Sequence, residues 1–173
     1  MALIKNREIT EDHWVRIDDE SAVPAEGGAI VSIARWRKDR AVLAGRNAPI
    51  GVELESGDGP EVVADDIVRL DLIAVPFATF RDGRGYSTAR LLRERYGFTG
   101  ELRAVGNVLR DQLPLMERCG FDSFEYAGRT DAAKALKAFR DISAVYQTAA
   151  DHRASAAALR NHPSKAFSNG TCG

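Results

Sequence analysis

Between residues 72 and 126, three short apolar runs (72–77, 102–105 and 121–126) alternate with two helical segments rich in arginine. Parallel strands cannot be joined by tight turns and need a crossover of a dozen residues or more, usually a helix, so this rhythm predicts strand-helix units. Upstream, residues 29–34 and 51–55 read as two further strands, each followed by a helix. Five such units predict an α/β fold with a predominantly parallel open sheet of about five strands. Right-handed crossovers covering both faces would make it flavodoxin-like or Rossmann-like. A full barrel of eight units needs roughly 250 residues, and the chain has 173.

Local signals mark where the elements begin and end. Residues 72–77 are apolar on both faces, as a central parallel strand should be, with Pro76 at its end where the missing donor costs least. Pro60 suits the first turn of the helix after 51–55. Ser87 is the expected cap of the next helix, whose face is Ala89, Leu92 and Tyr96 and whose stop is Gly97. Pro114 predicts a helix start near Asp111 or Gln112, closed by Gly120. Residues 131–149 read as the longest helix. Alternation in 2–5 and 13–17 predicts a short N-terminal β-hairpin or arm. From residue 151 the chain is polar and rich in Ala and Ser, which predicts a flexible tail behind a single domain of residues 1–150.

Charge narrows the function classes. A formal net charge of −1 argues against a general nucleic-acid binder. Its distribution is uneven: residues 81–118 hold eight arginines and no lysine against five acids, whereas residues 1–80 hold nine basic residues against fifteen acidic ones. No stretch resembles a signal peptide or a membrane span, so a cytoplasmic protein is expected. Cys119 and Cys172 are too few and too far apart for a metal site or disulfide framework, and His13, His152 and His162 lack ligand spacing, so no metal is expected. No flavin, nicotinamide, haem or iron–sulfur signature is present, so no cofactor is expected either.

Two turns carry more polar detail than a scaffold requires. Asp82-Gly-Arg-Gly85, followed by Tyr86 and Ser87, places Gly83 and Gly85 between a strand and a helix start, where backbone N–H groups and the helix dipole favour an anion. Arg84 and Arg90 would add charge-assisted bonds. The same residues also describe a tight turn that Asp82 shapes, with the arginines on a solvated helix face. The second turn brings Arg103 on a strand together with Arg110, Asp111 and Gln112. Asp111 there is either part of a site or a helix cap. Arg103 sits among apolar neighbours and so needs a carboxylate or a bound oxyanion. Were both turns at the carboxyl edge of the sheet, their guanidinium groups would converge on one negatively charged visitor.

The segments Asp82-Gly-Arg-Gly-Tyr-Ser-Thr-Ala-Arg-Leu-Leu-Arg93, Gly100-Glu-Leu-Arg-Ala-Val-Gly106, Arg110-Asp-Gln-Leu113 and Arg118-Cys-Gly-Phe-Asp122 together resemble an uncharacterised bacterial family, domain of unknown function 934. The resemblance covers most of residues 8–126. Asn107 departs from it, standing where the family's glycine-acidic-Val-Leu motif has an Asp. Members are labelled as oxidoreductases of sulfite reduction, because their genes sit beside that of the sulfite reductase haemoprotein. With no redox cofactor motif in view, the resemblance implies a non-catalytic accessory protein of assimilatory sulfite reduction. It would dock on the reductase or its electron donor through the Arg-rich edge. The alternative is a small enzyme or sensor binding an oxyanion or phosphorylated metabolite at that edge.

Overall fold

The structure, a computed structural model, describes residues 2–79, 83–126, 132–141, 146, 149–150 and 156–161. The order is β1 (Ala2–Lys5), β2 (Glu8–Thr10), β3 (Trp14–Arg16), β4 (Gly28–Ser32), α1 (Ile33–Ala44), β5 (Ile50–Glu53), a 3-10 helix (Pro60–Arg69), β6 (Leu72–Phe77), α2 (Arg84–Glu94) and β7 (Glu101–Gly106). A short 3-10 turn (Arg110–Gln112), α3 (Leu113–Arg118), β8 (Ser123–Tyr126), α4 (Ala132–Asp141) and α5 (Ala156–Asn161) complete it. Pro60 opens its 3-10 helix as expected, and Gly97 and Gly120 take positive φ (65° and 105°) after α2 and α3. Of the predicted helix at 131–149, α4 is described; Asp131 and residues 142–145 and 147–148 lie outside the described residues, as does most of the predicted tail.

The expected open five-stranded parallel sheet is not what forms. The strands make one eight-stranded mixed sheet in the order β2-β1-β8-β7-β6-β5-β4-β3, curled like a half-barrel. Strands β3 to β8 are parallel neighbours in chain order, and β1 is antiparallel to both β8 and β2. That order has no reversal. When each crossover is right-handed, a monotonic order sends every helix to the same side of the sheet, and a two-sided sandwich needs a reversal that is missing here.

The packing agrees. Buried residues from each of α1 to α4, among them Trp36, Leu92, Met116 and Phe139, join one cluster with Val31, Val52, Ile73, Val75, Leu102, Ala104 and Phe124 of the strands. The alternate positions Ile30, Leu72, Ala74 and Val105 form a separate cluster with Trp14 on the other face. A helix-free face can leave water only by closing on itself, which accounts for the curl.

The N-terminal segment makes that closure. The expected hairpin of residues 2–5 with 13–17 is replaced: β1 pairs instead with β2, and β3 pairs with β4 at the far edge. Two antiparallel pairings make β2 run with β8, hence with β3, so the chain passes from one edge strand to the other without turning back. Four Cα steps separate Thr10 from Trp14 and span at most about 15 Å. The two edges of the sheet are therefore held close, and residues 11–13 form a strap across the seam.

Candidate functional site

The strand alternation that buries Leu102 and Ala104 under the helices turns Glu101, Arg103 and Val105 to the inner face. Arg103 is fully buried there. Its Nε and Nη2 donate to Glu101 Oε1 (2.9 and 2.7 Å), Nη1 and Nη2 to Asp12 (2.7 and 3.1 Å), and Nη1 to Glu125 Oε1 (3.3 Å). All five N–H donors of the guanidinium are thus used. Lys5 Nζ reaches the other oxygen of Glu101 at 2.6 Å. Arg16, on β3, donates to Glu125 of β8 at 2.8 Å and to Glu53 of β5 at 2.7 Å. Four strands separate β3 from β8 in the sheet, so the Arg16–Glu125 pair spans the inside of the curl.

Burial pushes the carboxyl groups of Asp12 and Glu101 up, but the bonds and charges of Arg103, with Trp14 N–H for Asp12 and Lys5 for Glu101, hold both below the usual range. Burial likewise opposes the charge on Arg103 and Arg16, and the carboxylates outweigh it in each case. Arg103 therefore does not face the loops. Its need for a carboxylate, expected from sequence, is met internally by residues as far away in the chain as Asp12.

The other sequence-predicted residues fall at the carboxyl ends of β6 and β7, which stop level with each other, Phe77 opposite Gly106. Asp82 lies outside the described residues. Helix α2 starts at Arg84 with Gly83 before it, so Ser87 is an exposed residue of the first turn rather than the cap. Gly83 is exposed with a negative φ. Gly85 is buried, and a Cβ there would come within 2.8 Å of the Phe77 ring, so the glycine allows close packing of helix on strand. Arg84 is exposed and its guanidinium lies over Gly57, in the turn after β5, where a Cβ would stand 2.6 Å from Nη1. Arg90 pairs with Glu94 along the surface of α2, at 2.9 Å.

After β7, Arg110 and Asp111 are exposed, while Gln112 is buried and its Oε1 accepts from Leu109 N at 3.1 Å. Burial raises the Tyr86 phenol on α2, and Cys119 and Asp111, in the segment after β7, add to the shift. The close approach of that segment to β6 also explains Gly106: its φ is 88°, and a Cβ would meet Phe77 O at 2.8 Å. Asn107 donates its backbone N–H to the same carbonyl at 2.8 Å.

A cavity of about 520 Å³ opens at the carboxyl ends of β3, β4 and β5, lined by Arg16, Asp18, Asp19, Ser32, Glu53 and Glu55 among others. Ser32 caps α1 by accepting from Arg35 N at 3.0 Å and donates to Asp19 at 2.6 Å. The sequence reading missed this mouth and the inner network alike. The signal available was Glu101-Leu-Arg103, opposite charges two apart and so on the same face of an otherwise apolar strand. No group of His, Cys, Asp and Glu among the described residues is arranged to hold a metal ion, and no described helix is long and apolar enough to cross a membrane.

No curated protein and no solved structure matches the chain. A family model described as "Bacterial protein of unknown function (DUF934)" matches residues 51–157, from β5 to α5, which is more than half of the chain and takes in Glu53, Glu101, Arg103 and Glu125. The chain therefore belongs to that family.

Proposed function

We propose that this protein is a non-catalytic accessory protein of assimilatory sulfite reduction, docking on sulfite reductase or its electron donor. The docking surface is the group of loops at the carboxyl ends of β5, β6 and β7. The observation that carries the reading is the level ending of β6 and β7, Phe77 opposite Gly106, with exposed Arg84 and Arg110 on the elements that leave those ends. Arg103 drops out of the surface, its guanidinium being held on the inner face of the sheet. The association of the family with sulfite reductase genes supplies the partner class. An Arg-bearing rim of this kind favours an acidic partner, sets orientation and speeds encounter, and its contribution weakens with salt.

The test is co-purification and titration with sulfite reductase and with its electron donor. Combined Arg84→Glu and Arg110→Glu is expected to weaken the complex by tenfold or more at low ionic strength. Arg37→Glu, on the exposed side of α1, is the control and should leave it unchanged. Absence of a complex with either protein, or a complex indifferent to the double reversal, would overturn the reading.

A further inference from the structure

The inner network holds one carboxylate that differs from the others. Glu101 and Glu125 stand on the sheet with side chains only 5% and 6% exposed, whereas Asp12 sits on the strap across the seam with its side chain 34% exposed. Glu11, Asp12 and His13 all face solvent, and Asp12 reaches inward to take the Nη1 and Nη2 edge of Arg103 with both oxygens. A side-by-side carboxylate on a guanidinium is the geometry by which proteins bind carboxylate ligands. A partly exposed group thus seals a guanidinium that is itself cut off from water.

The charge balance points the same way. Lys5, Arg16 and Arg103 oppose Asp12, Glu53, Glu101 and Glu125, three cations against four anions. Lifting Asp12 away leaves three against three, and an incoming monoanion would restore the present balance without any other change.

We propose that Asp12 is an internal stand-in for a small external carboxylate, and that residues 11–13 are an autoinhibitory strap that yields the Nη1 and Nη2 edge of Arg103 to such a ligand. Glu101 and Glu125 stay on the guanidinium throughout, keeping it oriented. A guanidinium edge pairs with two oxygens of a carboxylate or of a tetrahedral oxyanion alike, so the single charge of the group being replaced is what selects a carboxylate monoanion over a dianion such as sulfate. Arg16, bonded to the same Glu125, belongs to the wall of the mouth cavity and links the seam to it.

The full-length chain is titrated with formate and acetate, with sodium chloride and sulfate at matched ionic strength, and its melting temperature is followed. Asp12→Gly is expected to gain a saturable stabilisation by formate or acetate beyond that of chloride, with sulfate weaker. A group tethered this closely acts at millimolar or higher effective concentration, so the wild type should respond only at concentrations at least about tenfold higher. Its Trp14 amide, which donates to Asp12 Oδ1 at 3.1 Å, should exchange faster as it does. Arg103→Met in the Asp12→Gly background should abolish the response. Asp12→Ser is the second variant should the glycine variant fail to fold, and amide exchange in the wild type remains decisive if both fail. A variant response no greater than with chloride, a response that survives Arg103→Met, or a wild-type Trp14 amide unaffected by saturating formate would each overturn the proposal.

Discussion

Arg103 shows how a single residue can be legible in kind and illegible in place. A guanidinium between Leu102 and Ala104 had to find anions, and the sequence says so; that they are Asp12, Glu101 and Glu125 depends on a curl no local pattern encodes. Removing one partner from a buried ion network leaves the others uncompensated. Arg103→Met is therefore expected to lower stability by about 3–5 kcal/mol in urea unfolding. Lysine should not rescue it, since one ammonium cannot serve three carboxylates in a fixed plane. Because the native state holds Asp12 and Glu101 below their ordinary values, their contribution is complete above the unfolded carboxylate range and is lost as pH falls through the depressed native values. Melting temperature followed from pH 7 downward should fall less steeply in Asp12→Asn than in the wild type; equal slopes would remove Asp12 from the network's energetics. Gly85→Ala forces a methyl group against the Phe77 ring and should cost about 1–3 kcal/mol as an overpacked contact, measured in the same way.

At the scale of elements, local chemistry was read well where it is local. Residues 72–77 form a strand apolar on both faces, though one face meets the inner cluster rather than a second layer of helices. Ser87 failed as a cap because α2 begins three residues earlier, at Arg84. A short N-terminal hairpin does form, β1 with β2, but 13–17 is not its second half: the two alternating stretches are alike in pattern, and nothing in either tells which edge it will join. Docking of α1 on the 3-10 helix Pro60–Arg69 rests on a contact equally invisible to periodicity, the buried Trp36 Nε1 donating to Asp66 Oδ2 at 2.9 Å. Asp66→Ala would leave that indole N–H without its acceptor and is expected to cost about 1–3 kcal/mol. Trp36→Phe combined with it should recover part of the loss, as unfolding midpoints would show.

For the molecule as a whole, the strand-helix rhythm gave the class of units but not their order, and order decides everything that follows. A reversal would have produced a two-sided sheet with a crevice; the monotonic run from β3 to β8 puts the helices outside and the charges within. In a flat sheet, β3 and β8 would lie five strand spacings apart, roughly 24 Å. In this molecule, Arg16 and Glu125 are 2.8 Å apart. Arg16→Cys with Glu125→Cys, in a chain with Cys119→Ser and Cys172→Ser, and a short bifunctional maleimide measure that separation directly. Rapid intramolecular cross-linking of the folded monomer is expected; cross-linking that appears only after unfolding, or not at all, would contradict the closure on which the inner network and its strap depend.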